Sequence, residues 1–442
     1  MADESTPQTR SMVTRAILLY ILVLSGLFFF AYITVSVRAY VLHRPYPYNT
    51  LLYDPTVRFT DWTDCAKRIQ HFGEPNLLGA NGGYGYPAAT VYLFLLFVKF
   101  FHNSLHAYLF AALATFILST LFFSVRVRRL TKDKLPQIAI WLTLIMGYPL
   151  LFLLDRGNIE VFLWLFVLLG VLAFIRNRPY TAAMLFAIAA SMKIYPVLFL
   201  LLLLPKRQYK AAAFGAVAVG VLSFLAILGI GPDVRDTMQT MSNNAAAIKE
   251  VYFVRLNAPS VRFDHSVFGG MKQAIHLYLH SRHLDSAANP PRFEREMHIY
   301  GILAPLFFVL LYLGRLRRMP ILNQFMAITL CCLLLPYLSG EYTLVHVYLI
   351  WAAFLWFLLT DVRSGLVPLS GRRASLMMLC FALTIAPLSF MVIARSSGIS
   401  GQVKCVALIA LLGAIVATPM PSSLFGDLPK ILSSTSTIPD RA

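Results

Sequence analysis

Long apolar runs alternate along this chain with short polar segments, most of them basic. Nearly uncharged stretches predict membrane-spanning helices at 16–37, 105–125, 136–154, 159–176, 209–229, 298–314, 320–337, 343–360, 374–395 and 403–419. Two further apolar stretches, 87–101 and 180–205, are ambiguous on length and pattern alone. Between the runs lie VRVRRLTKDK (125–134), IRNRP (175–179), PKRQYK (205–210), GRLRRMP (314–320) and a basic segment at 361–373. Lysine and arginine gathered in short loops mark the cytoplasmic side of a membrane protein, and the orientation of the whole chain follows from placing all five there.

Parity then constrains the ambiguous stretches. With the N-terminus inside, residues 38–104 emerge outside, so 87–101 cannot be a full span if 125–134 is to return to the cytoplasm. At 1.5 Å per residue that stretch is also short for a hydrocarbon core of ~30 Å, which makes it a re-entrant or interfacial helix. Likewise, 175–179 and 205–210 share a side only if 180–205 enters and leaves. The break SMKIYP (191–196) supplies the turning point. Pro196 interrupts a helix, and Lys193 inside an apolar run costs ~2.5–3.5 kcal/mol on insertion scales unless it reaches water or a partner. One long tilted helix with a snorkelling lysine is the competing reading. The hairpin of short helices is preferred because it satisfies the charge rule.

Composition agrees with this pattern. Of 442 residues, 58% are hydrophobic and 13% charged, with a mean hydropathy of +0.68. The fold class expected is an all-α polytopic membrane protein with about 10–12 spans plus re-entrant or interfacial helices. A net charge of +18 would suggest nucleic acid in a soluble protein. Here the charge lies between spans, so no nucleic-acid partner is expected. Cys331, Cys332, Cys380 and Cys405 lie in or beside apolar runs and only Cys65 sits in a loop, so no disulfide framework is implied. Run 16–37 has no A-x-A cleavage site and reads as an uncleaved first span. The domain reading is a cytoplasmic leader (1–15), one membrane domain (16–419) with a first outer loop (38–104) and a large outer loop (231–297), and a tail (420–442).

Candidate chemistry gathers on the outer side. In FTDWTDCAKRI (59–69), Thr60 or Asp61 could N-cap a short helix. Asp64 has Lys67 and Arg68 at i+3 and i+4 as surface partners, whereas Asp61 has none downstream. GGYGYPAATVYLF (82–94) brings Tyr86 to the head of a helix starting at Pro87. DRGNIE (155–160) joins two spans with almost no loop and exposes Arg156, Asn158 and Glu160 to the same pocket. In VRFDHSVFGG (261–270), Asp264, His265 and Ser266 read first as an N-cap motif, since three adjacent side chains diverge and cannot form a triad. In SGEYTLVHVY (339–348), Glu341 lies at the interface and His346 about a turn inside, five residues on and so not stacked on one face. No CxxC, HExxH or clustered ligand set appears, and no metal or other cofactor is expected.

Taken in order, the outer aspartate, Y-x-Y-P, R-G-N-I-E, S-M-K-I-Y-P-V-L, H-S-V-F-G-G and the late S…H helix resemble glycosyltransferase family 87. This is the polyprenyl-phosphate-mannose-dependent mannosyltransferase type of the GT-C superfamily, and the resemblance runs from about residue 16 to 360. It implies a GT-C-like helix bundle in the plasma (inner) membrane with its site on the extracytoplasmic face. It also implies a polyprenyl-monophosphate sugar as donor and a lipid or glycan as acceptor. Asp61 matches the general base, and Lys193, His265, Ser266 and His346 match donor-site positions; Arg156 joins Lys193 and His346 as a candidate to cradle the donor phosphate. Asp64, Tyr86, Asn158, Glu160 and Glu341 would line the substrate pocket. The chain departs from the family in having Trp62, Asp64 and Cys65 where tyrosines usually follow the aspartate, and Tyr86-Pro87-Ala88 in place of YPP. Two other classes stay open from sequence: a flippase for lipid-linked sugars, and a glycan transferase of the O-antigen-ligase kind.

Overall fold

The computed structural model describes residues 7–46, 48–52, 54–69, 85–102, 104–231, 233–256, 261–282, 291–393 and 397–428. Apart from a strand pair, Val392–Ile393 antiparallel to Ser397–Gly398, the regular structure described is helical. The chain runs α1 (Pro7–Ser36), α2 (Thr60–Ile69), α3 (Ala89–Phe100), α4 (Ser104–Leu130), α5 (Leu135–Met146), α6 (Tyr148–Arg156), α7 (Glu160–Ile175) and α8 (Pro179–Met192). A 3-10 segment, Tyr195–Leu203, follows. Then come α9 (Tyr209–Leu228), α10 (Val234–Ile248), α11 (Val267–Ser281), α12 (Glu294–Gly314), α13 (Ile321–Leu334), a second 3-10 segment (Glu341–His346), α14 (Val347–Phe357), α15 (Gly371–Ile385) and α16 (Ser400–Ala417).

Seven helical stretches among the described residues are long and apolar enough to cross a membrane: Pro7–Val41, Ser104–Leu130, Leu135–Arg156, Tyr209–Leu228, Glu294–Arg318, Glu341–Val362 and Ser400–Ala417. The expected spans at 159–176 and 320–337 are the shorter helices α7 and α13, of 16 and 14 residues. Every residue of α13 is buried, so protein rather than lipid surrounds it and nothing forces its length to match the bilayer. The expected span 374–395 is corrected more strongly. Its helix, α15, stops at Ile385 because Ala386 precedes Pro387, and the clash with the proline ring drives Ala386 to an extended conformation (φ −70°, ψ 153°).

Side-chain contacts sort the connections into two ends. At one end, Arg363 donates to Thr131 (2.9 Å), Gln208 to Asn177 (3.3 Å) and Arg315 to the Val416 carbonyl (3.3 Å). Asp361 accepts from Ser422 (2.8 Å), and Asp427 from the Ile321 amide (3.0 Å). Lys206 also faces Asp427, so these contacts join all five basic segments at this end. At the other end, the Tyr148 hydroxyl donates to the Leu51 carbonyl (2.7 Å), Arg38 to that of Phe390 (3.2 Å), and the His265 amide to Ser339 (3.0 Å).

The 180–205 stretch turns back as parity requires. Helix α8 ends at Lys193, which is extended (φ −149°, ψ 139°). The 3-10 segment then returns the chain until Gln208 reaches Asn177 beside the start of α8. That return rules out a single tilted helix. Helix α3 stays at the polar end, where Thr90 bonds the Met192 carbonyl and Tyr92 that of Ala226 (both 3.3 Å).

Candidate active site

The site begins with the turn between α6 and α7. Helix α6 closes in a Schellman arrangement: the Gly157 amide donates to Leu154 (3.2 Å) and the Asn158 amide to Leu153 (3.2 Å). This closure puts Gly157 in the left-handed region (φ 65°). A Cβ there would come within 2.7 Å of the Trp62 Cβ, so glycine also lets α2 lie directly on the turn. Two more contacts clamp the start of α2: the Phe59 amide donates to the Asp155 carbonyl (2.8 Å) and Arg156 Nη1 to that of Val57 (3.1 Å). Trp62 is fully buried, stacked on Tyr108 with centroids 4.3 Å apart and packed against Phe94 and Phe97. An aromatic anchor on one helix face fixes the rotation of a short helix that could not hold itself.

Docked in this way, α2 points Asp61 at the turn. Its Oδ1 pairs with Arg156, and its Oδ2 accepts from Asn158 Nδ2 (2.8 Å). The same Asn158 amide group donates to the Tyr86 hydroxyl (3.0 Å), while Asn158 Oδ1 accepts the Glu160 amide (3.2 Å). One asparagine therefore joins the α2 aspartate to the first residue of α7.

Glu160 is the second centre. It is fully buried and pairs with Lys193, bonds the Tyr195 hydroxyl, and meets His346 Nε2 at 2.9 Å. Tyr195 and His346 also meet each other (3.0 Å). The Lys193 ammonium lies over the rings of Tyr342 (5.1 Å) and Tyr86 (5.8 Å). Asp61, Arg156 and Lys193 keep 19%, 16% and 19% of their side-chain surface exposed. The arrangement thus offers a carboxylate and cations on a surface a substrate can touch.

A third group of charges lies at the same end but is sealed. Glu341 pairs with Lys404 of α16 and accepts from Ser400 (2.8 Å), and both charged side chains are wholly buried. Nearby, Asp264 Oδ1 accepts the amides of Ser266 and Ser339 (2.9 Å each). His265 Nε2 meets Ser339 Oγ at 3.0 Å, and Ser266 caps α11 by accepting the Gly269 amide (2.9 Å). Burial raises the Asp264 carboxyl to about 6 and pushes the His265 imidazole well below its usual range, leaving it neutral.

The structure therefore brings together Asp61, Tyr86, Arg156, Asn158, Glu160, Lys193 and His346. It places His265, Ser266 and Glu341 in the sealed group. Glu341 and His346 sit in one 3-10 segment of about three residues per turn, so five positions apart they face different clusters. Two sequence expectations on α2 are corrected. Neither Thr60 nor Asp61 caps it: both are already helical, Phe59 before them has φ 59°, and Thr60 donates to the Val57 carbonyl (2.9 Å). Asp64 is exposed and forms no ion pair with Lys67 or Arg68 among the described residues, as suits a hydrated pair with almost nothing to gain.

Sequence reasoning passed over Tyr195 and Lys404. Lys404 carried the same signal that exposed Lys193, a charge inside an apolar run. Tyr195 stands two residues beyond Lys193 in the same break.

Comparison with known proteins gives one family. The model of glycosyltransferase family 87 matches residues 84–340, more than half of the chain. No curated protein and no solved structure matches. The matched stretch contains Tyr86, Arg156, Asn158, Glu160 and Lys193, with Asp61 before it and His346 after it. By this match and its polytopic helical fold, the chain belongs to glycosyltransferase family 87 and is a membrane glycosyltransferase.

Proposed function

We propose that the protein transfers a sugar, mannose by family resemblance, from a polyprenyl monophosphate to a lipid or glycan acceptor. The transfer takes place at the extracytoplasmic face of the plasma membrane. The observation that carries this reading is the pairing of Asp61 with Arg156 and Asn158 beside the Lys193–Glu160–His346 cluster. Asp61 Oδ2 accepts one bond from Asn158 and has a further lone pair for an acceptor hydroxyl. The acceptor oxygen would attack the anomeric carbon as the bond from that carbon to the phosphate oxygen breaks, inverting the centre. The hydroxyl proton passes to Asp61 as the new bond forms, because a carboxylate is too weak a base to make a free alkoxide first. The leaving phosphate gathers negative charge, which Lys193 and Arg156 are placed to stabilise. Clustering of the five basic segments at the opposite end supports an extracytoplasmic site through the positive-inside rule.

The test is a labelled polyprenyl-phosphate-mannose incubated with membranes containing the protein. Label moving to an acceptor is the expected result. Label crossing the bilayer without transfer would replace this reading with a flippase. Cysteines introduced at the exposed Asp64 and Arg176 should react with impermeant reagent from opposite sides, Asp64→Cys from outside.

A further inference from the structure

A cavity of about 1170 Å³ lies at the basic end, between the start of α1 and the start of α15. Its rim carries Arg15 and Arg372, both exposed, together with Ser11 and Ser375, and among the described residues no acidic side chain lines it. Its floor is apolar, with Met12, Val367 and Leu369. Ser370 caps α15 by accepting the Arg373 amide (3.4 Å). A helix start favours negative charge.

The surface leading away from the cavity is equally informative. Leu18 and Leu22 follow Arg15 at i+3 and i+7 on α1, and Leu376 follows Arg372 at i+4 on α15. They are 41%, 61% and 45% exposed. In a membrane helix such residues face acyl chains. Exposed leucines thus continue along each arginine's own helix face, and the two helices pack together where Met12 meets Gly371; that combination matches one amphiphile, an anionic head above hydrocarbon tails.

We propose that this cavity binds the headgroup of an anionic phospholipid, its phosphate between Arg15 and Arg372 and its chains along Leu18, Leu22 and Leu376. The site is separate from the sugar-transfer centre and stands whether or not that reading holds. The chemistry recognised is phosphate joined to a diacyl anchor.

The test reconstitutes the full chain in phosphatidylcholine bilayers with and without phosphatidylglycerol and measures lipid retained through detergent extraction by native mass spectrometry. Phosphatidylglycerol should be retained by the parent and reduced on the order of tenfold or more in Arg15→Gln/Arg372→Gln, since each arginine near an anionic surface contributes separately. Arg176→Gln, another exposed arginine at that end, should retain it fully. Equal retention by the double variant, or equal loss in Arg176→Gln, overturns the proposal. Displacement of the lipid by inorganic phosphate alone would make this a simple anion site and overturn the lipid assignment. Asp3 and Glu4 precede the described residues. Retention seen only in Asp3→Asn/Glu4→Gln would mean that the leader fills the groove, and would also overturn it. A monodisperse elution profile for each variant shows that the fold survives.

Discussion

Two clusters of charge sit at one end of this bundle and look alike in composition, each with a glutamate, a lysine and a histidine. In the first, Glu160 is buried but Lys193, Arg156 and Asp61 remain open to between 16% and 19%. In the second, Glu341 and Lys404 are both at zero exposure, and His265 is sealed beside them. The difference separates two uses of an expensive residue in a membrane protein. An ion pair closed on all sides can only hold helices together, here joining the Glu341–His346 segment to α16. A pair with one open edge can exchange a partner for a substrate. The 3-10 segment links them: Glu341 is fixed in the sealed cluster, and His346 is thereby presented to the open one.

The sharpest break in the comparison is at Asp61. Asp61→Asn should lower sugar transfer by ~10²–10⁴-fold, the usual contribution of a positioned base, with an unchanged elution profile. Asp64→Asn, three residues along and without an ion-pair partner among the described residues, should transfer at the parent rate. Comparable loss in both would place the chemistry elsewhere.

Next comes one substitution made in both clusters. Lys404→Met leaves the Glu341 carboxylate buried beside Ser400 alone and should cost about 3–5 kcal/mol, seen as lost folded yield or a lowered unfolding temperature. Adding Glu341→Gln removes the stranded charge and should recover much of the loss. Lys193→Met should leave the fold nearly intact, because Glu160 keeps Tyr195 and His346, while transfer falls by one to two orders of magnitude, on the scale of about 10²-fold for one lost electrostatic donor. The same stability loss at both lysines would erase the distinction between the clusters.

Gly157→Ala tests the platform rather than a charge. A left-handed non-glycine residue costs about 1–2 kcal/mol, and the new methyl would meet Trp62. Displacing α2 by about 1 Å should reduce transfer by roughly 10²-fold through misplacement of Asp61. Normal activity would show that Asp61 needs no such seating.

The smallest effect is expected at Asp264, whose folded-state value rises from 3.8 to about 6 through burial. Between those values the folded state binds the extra proton, so stability falls as pH rises through the window and stays lower above it. Asp264→Asn can keep both amide bonds through its carbonyl oxygen and removes that slope. Thermal unfolding from pH 4 to pH 8 should therefore show the variant gaining on the parent as pH rises. Parallel curves would mean that Asp264 does not titrate in this range.

Much of the fold was legible because membrane insertion obeys local rules. Run length located the long helices, and the basic loops with parity forced the hairpin at Lys193, which the contact of Gln208 with Asn177 displays. The failures have local causes too. The end of α15 at Ala386 was readable from Pro387, but an apolar run was allowed to continue past it. The length of α13 was not readable, because a helix wholly buried in protein is freed from the bilayer's thickness.

For the site, the residue types were visible and their partners were not. A charge in or beside an apolar run is costly wherever it lies, so Asp61, Arg156, Glu160, Lys193 and Glu341 announced themselves one by one. Local spacing also set Asp61 apart from Asp64, though through an ion pair that does not form. Which charges share a cluster depends on contacts between residues tens to hundreds of positions apart: Arg156 with Asp61, His346 with Glu160, Lys404 with Glu341. Sequence alone determined that this chain is a bundle of membrane helices with its polar residues at one end and its basic loops at the other, because hydropathy and charge act position by position. Only the tertiary structure decided which polar residues stay open and which are sealed. Exposure belongs to the packing around a side chain, and here that packing is set by one glycine turn, one buried tryptophan and one 3-10 segment facing two ways.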